Sequence, residues 1–208
     1  MTSTSKGHWY CDWERQGVSV RGKTIGGTSA RQIVLIIGVV LVACNLRAAI
    51  TSVGPLISFI REDMILSNGA AGMLTTLPLL GFAILSPLAP KIGQKLGNEM
   101  TVFVGLIVLL LGLTLRSAGL SSTLFFGTAL IGIGIAIGNV ILPSIVKHYF
   151  PTRVGLMTSL YSTAMGAFAA IASGVSVPLA YGVSLGWRGS LVFWASLAIV
   201  ALIIWIPQ

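Results

Sequence analysis

The sequence predicts an all-α membrane protein of six transmembrane helices, and three observations carry that prediction. Of its 208 residues, 55% are hydrophobic and only 9% are charged, against about 25% charged in ordinary globular domains. Mean hydropathy is +0.94, and nearly all Lys, Arg, Asp and Glu fall in short connectors between long uncharged stretches. Those stretches are continuous, whereas barrel strands would be about ten residues long and alternate in polarity. A helix needs roughly 20 apolar residues to cross about 30 Å of hydrocarbon, so the chain has room for six spans, their connectors and one tail. Little is left for a domain outside the bilayer.

Residues 1–32 are polar and rich in Ser, Thr and Gly, with no periodicity that would bury a core, and read as a disordered tail. His8, Trp9, Cys11 and Asp12 are followed by no second ligand pair at finger spacing, so a solvated tail is preferred to a metal site. No metal or other cofactor is expected. The long polar lead and the length of the first apolar run argue against a cleaved signal, so that run stays as a span. Cys11 in the tail and Cys44 in the first run imply no disulfide framework.

Six apolar segments follow, at about 33–57, 70–90, 100–118, 122–146, 155–180 and 190–207. Pro55, Pro78, Pro143 and Pro178 fall in or near the ends of spans, where a helix bundle tolerates them as kinks. Lys and Arg divide unevenly between the two sides. Five lie in the tail, with Lys91 and Lys95 in the second connector and Lys147 and Arg153 in the fourth; only Arg61, Arg116 and Arg188 lie opposite. The positive-inside rule then sets both termini in the cytoplasm of a multi-pass cell-membrane protein. The chain stops at the inner edge of the sixth span, with no C-terminal tail expected. The echo of Pro87-Leu88-Ala89 in Pro178-Leu179-Ala180 hints at a three-plus-three repeat.

Although the net charge is +8, the basic residues form no stripe with interleaved aromatics, so topology explains them better than nucleic acid does. No catalytic triad, paired carboxylate, phosphate loop or metal-ligand cluster supports an enzyme. Arg47 is the residue that demands explanation. It sits well inside the first span, while all five acids, Asp12, Glu14, Glu62, Asp63 and Glu99, lie in the tail or connectors. A guanidinium at that depth costs roughly 2.5–3.5 kcal/mol on insertion scales, so it should face the bundle interior or a wet cavity. Thr51, one turn on, shares its face. The pair reads either as an anion or polar-ligand site, or as an Arg that snorkels outward or bonds to carbonyls.

Gly132, Gly134 and Gly138 in the fourth span, and Gly166, Ala170 and Gly174 in the fifth, have the small-residue spacing of closely packed helices. Asn139 needs partners in hydrocarbon, and Pro143 cannot donate to its carbonyl, so the stretch has free polar capacity. Thr75 and Thr76 in the second span and Tyr161, Ser162 and Thr163 in the fifth complete the intramembrane polar set. Each Ser and Thr, taken singly, is better read as bonded to its own helix backbone.

From Asn45 to Leu56 (NLRAAITSVGPL) the chain resembles the cyanate and 2-nitroimidazole transporter family of the major facilitator superfamily. The resemblance continues through LTTLPLL at 74–80, SPLAP at 86–90 and GNVILP at 138–143 with Lys147, Phe150 and Pro151, and more loosely through Gly186-Trp187-Arg188. It implies the N-terminal six-helix half of a twelve-span transporter that moves a small solute by alternating access. It further implies a missing C-terminal half, or a second copy, as partner; the alternative readings are an inactive membrane fragment from a truncated or split gene and a half-size homodimeric transporter. Arg47, Thr51, Thr76, Asn139 and Tyr161 become the candidate solute contacts, and Lys91, Lys95 and Gly97 the candidate gating connector. Two departures stand out: Ala48 replaces a Pro common after the first-span Arg, and Pro90 or Gln94 replaces the Asp of the connector motif.

Overall fold

In a computed structural model, residues 30–182 and 186–208 are described. The chain forms α1 (Ala30–Thr51), a 3-10 turn (Gly54–Leu56), α2 (Ile57–Asp63), α3 (Asn68–Leu85), α4 (Ala89–Leu96), α5 (Asn98–Ser117), α6 (Ser121–Tyr149), α7 (Val154–Tyr181) and α8 (Gly186–Trp205). Six of these stretches are long and apolar enough to span a bilayer: α1 with α2, then α3, α5, α6, α7 and α8. The expected tail lies almost wholly outside the described residues. Among the described residues there is no strand.

The four prolines behave differently. Pro78, Pro143 and Pro178 sit inside continuous helices, whereas Pro55, with Gly54 before it, breaks the first span between α1 and α2. The second connector is itself a short helix, α4, whose buried residues are Ala89 and Gly93 and whose other side carries Lys91 and Lys95.

The packing defines two layers. One is the row α3, α6, α1, α7, in which α6 lies against α3 and α1, and α1 against α7; behind it stand α5 and α8, which pack on each other, on α6 and on α1. The pairing α1 with α7 is the counterpart of α6 with α3, as expected if the first three spans and the last three repeat one unit.

Glycine brings α5 and α6 closest. A Cβ at Gly112 would fall 2.8 Å from the Gly127 carbonyl, and one at Gly134 would fall 2.9 Å from the Gly105 carbonyl. Gly132 and Gly138 do the same work toward other neighbours, meeting Pro78 of α3 and Leu46 of α1. Where no apolar driving force separates helix contact from lipid contact, such backbone approach is a main source of association. Gly166 and Gly174 differ from that expectation, since nothing lies within 4 Å of a Cβ at either. Among the described residues, nothing packs against α7 at these two positions.

Polar ties fix the remaining pairs. The Asn45 amide donates to the Leu41 and Leu197 carbonyls, joining α1 to α8. Ser190 donates to the Ser176 carbonyl and the Trp194 indole to the Ser176 hydroxyl, joining α8 to α7. At the end of the bundle where α1 begins, Tyr149 donates to Glu99, and Trp205 to the Glu99 carbonyl. At the opposite end Asp63 accepts from Trp187 and pairs with Arg188 at 3.4 Å. These two ends are called proximal and distal below. Alternate connectors thus gather at opposite ends, as six spans require.

Candidate functional site

On α1, Ile33, Ile37 and Arg47 are exposed and Val40 and Thr51 half-buried, a spacing of three, four and seven that places them on one stripe. With α6 and α7 beside α1 and α8 behind it, that stripe faces away from the second layer. The open side of the four-helix row is therefore where Arg47 points. Arg47 has no ion pair or side-chain hydrogen bond among the described residues; its carbonyl accepts from the Thr51 hydroxyl at 3.0 Å.

Contacts between helices set the levels of the other candidates. Leu46 sits against Gly138, which brings Asn139 to the level of Arg47; Asn139 is half-buried, and its amide has no partner among the described residues. Pro78 sits against Gly132, six residues distal of Gly138, so Thr76 lies about two helical turns, ~10 Å, distal of the Arg47 level and about one turn beyond Thr51. Thr76 is exposed, and its hydroxyl donates to the carbonyls of Gly72 and Met73. Both threonines thus spend their hydroxyl protons on their own helices and offer lone pairs to a ligand. They donate to a ligand only by giving up those bonds.

Tyr161 is not brought together with this group. It is buried against Ile36, Val39 and Val40 of α1 and Val146 and Phe150, about 10 Å proximal of Arg47 by helical rise. The connector candidates are farther still: Lys91 and Lys95 are exposed on α4, without ion pairs among the described residues. Gly97 joins α4 to α5 at φ 86°, a left-handed turn that glycine adopts without strain.

One residue was misplaced by the sequence reading. Arg116, expected in a distal connector, lies in the last turn of α5 and is only 2% exposed. Helix α5 continues to Ser117 and stops before Gly119, whose φ is 86°. Its buried positions Leu109, Gly112, Leu113 and Arg116 recur at three and four residues, so Arg116 falls on the packed stripe. That periodicity was the available signal. Nη1 donates to the Ala49 carbonyl at 2.9 Å, while Nε and Nη2 have no partner among the described residues. The bundle therefore holds two cations away from its polar ends, Arg47 facing the open side and Arg116 behind α1. Among the described residues no Asp or Glu lies at that depth, since Glu62 and Asp63 end α2 and Glu99 begins α5. Such an interior favours an anion and disfavours a cation. Among the described residues no group of His, Cys, Asp and Glu could hold a metal ion.

Residues 35–208 match the Major Facilitator Superfamily. The chain is 62% identical over 174 residues to an uncharacterized transporter, YycB, of Bacillus subtilis (strain 168), covering 84% of this chain and 43% of that protein. It is 43% identical over 177 residues to the 2-nitroimidazole transporter of Escherichia coli (strain K12), covering 85% and 45% respectively. To the cyanate transport protein CynX of the same organism it is 30% identical over 172 residues, covering 82% and 44%. The chain thus spans less than half the length of these relatives and aligns with one half of each.

Proposed function

The chain belongs to the major facilitator superfamily, and on that premise we propose that it is the N-terminal six-helix half of a secondary transporter for a small solute. The solute class that its open face suits best is a small anion such as cyanate. Arg47 carries the reading. A cation well inside a span, turned to the open side and unpaired, gains a charge-assisted and in principle bidentate hydrogen bond from an entering anion. Asn139 contributes a free amide at the same level, and Thr51 and Thr76 line the distal side. A nitroimidazole-like compound, whose nitro group is also a planar acceptor of two hydrogen bonds, belongs to the same chemistry.

The partner is a second six-helix unit. In the apolar windows of α3 and α7 only 17% of residues are buried, and Gly69, Gly72, Gly166 and Gly174 have open space where a Cβ would stand. Small residues on exposed spans suit close contact with further helices, and the greater length of the relatives supplies them. Lipid surrounds the remaining faces, with both termini on the cytoplasmic side of the cell membrane. Rocking of the two units about the Arg47 level would expose the solute to each side in turn.

The test is uptake of radiolabelled cyanate by membrane vesicles containing the chain alone, or the chain with the C-terminal half of a relative. Uptake only with both halves is the expected result. Equal uptake by the chain alone would point to a dimer of this chain, and none under either condition would reject the reading.

A further inference from the structure

The first span does not run straight into its connector. Pro55 has no N–H to offer the Thr51 carbonyl, and the Val53 N–H bonds to Ile50 at 3.3 Å instead of reaching back to Ala49. The last turn of α1 therefore leaves the Ala49 carbonyl without its helical donor, and Arg116 supplies one from the end of α5. A cation is favourable there, because the helix dipole presents its negative end. The arrangement is nonetheless costly: among the described residues, Nε and Nη2 of the same buried guanidinium have no partner, and neither does the buried Ser52 hydroxyl one turn beyond. An apolar side chain of similar length would fill the space without that cost.

What the arginine alone provides is a hold on the broken end of α1. Ala49 lies two residues from Arg47 and two from Thr51, so whatever fixes its carbonyl fixes the turn that presents both. We propose that Arg116 is a positioning residue of the solute site: it clamps the end of α1 against α5 and thereby holds Arg47 and Thr51 toward the open face. This rests on the reading of Arg47 as a solute contact. Arg116 does not touch the solute, since it lies behind α1 and Arg47 in front.

The experiment measures the concentration of labelled cyanate giving half-maximal uptake, in vesicles holding the chain and a relative's C-terminal half. Hydrogen bonds to charged groups are worth enough that Arg116→Met should raise that concentration about tenfold. The maximal rate per inserted protein should change less than about twofold, with Arg116→Lys recovering most of the affinity. A purely structural arginine would lower the amount of inserted protein and leave the half-saturating concentration unchanged, which would overturn the proposal. Should Arg116→Met not accumulate, Arg116→Gln, which keeps one donor, is judged by the same criteria. In the chain alone, a cysteine at Gly54 should react faster with a thiol reagent when Arg116 is Met, and an unchanged rate also counts against the clamp. Arg47→Ala is run alongside: normal uptake there rejects the solute site itself, whereas impaired Arg47→Ala with unaffected Arg116 variants rejects only the positioning role.

Discussion

Replacing Gly127 by Ala tests the packing that holds the bundle together. The new Cβ would fall 2.5 Å from the Arg116 backbone nitrogen and 2.7 Å from the Gly112 carbonyl oxygen, where ordinary contact begins at 3.4 Å. Both neighbours are helix backbone, so α5 and α6 must part by several tenths of an ångström along their closest seam. Overpacking of this kind costs about 1–3 kcal/mol, and backbone contacts place it at the upper end. Alanine's better helix propensity returns at most about 1 kcal/mol. The net loss, about 2 kcal/mol, corresponds to an apparent Tm lower by roughly 4–8 °C for a chain of this size. Gly174→Ala is the control, since nothing lies within 4 Å of its Cβ; its apparent Tm should stay level or rise. Thermal unfolding of the purified chain in one detergent, followed by tryptophan fluorescence, compares them. Equal midpoints for the two variants would refute the assignment of Gly127 to a backbone seam and of Gly174 to an open face.

Two further outcomes follow from the charge distribution. In the orientation proposed here, with both termini in the cytoplasm, a cysteine beside Glu62 should react with an impermeant thiol reagent in intact cells, and one beside Lys95 only after the cells are opened; labelling at Lys95 from outside would reverse the orientation. Because the acids among the described residues, Glu62, Asp63 and Glu99, all lie at helix ends, a proton-carrying carboxylate at mid-membrane is expected from the proposed partner half or a second copy, unless coupling uses another ion or none. Proton-driven cyanate uptake by a demonstrably monomeric chain would contradict that.

Six spans were legible because each apolar run has about the length a helix needs to cross the bilayer, and their order needs nothing else. The break at Gly54 and Pro55 was half legible. Proline marks a possible kink, yet Pro78, Pro143 and Pro178 remain inside helices, and only the freed carbonyls distinguish the first span. Glycine spacing showed which residues can approach a neighbour but not whether a neighbour is there: Gly134 meets α5, whereas Gly174 meets nothing among the described residues. Arg47 was visible as a charge without a carboxylate. Arg116 was not, because a cation one turn from a span's end looks like a connector until the helix packing turns it inward. Tyr161 shows the converse limit, since a polar residue in a span can serve the apolar core.

The most direct test of the solute site is binding and uptake of labelled cyanate by Arg47→Lys and Arg47→Ala, each inserted to native levels and paired with a C-terminal half. Lys keeps the charge without the planar fork, so partial binding is expected for Arg47→Lys and nearly none for Arg47→Ala. Native binding and uptake by Arg47→Ala would make the arginine structural and contradict the account.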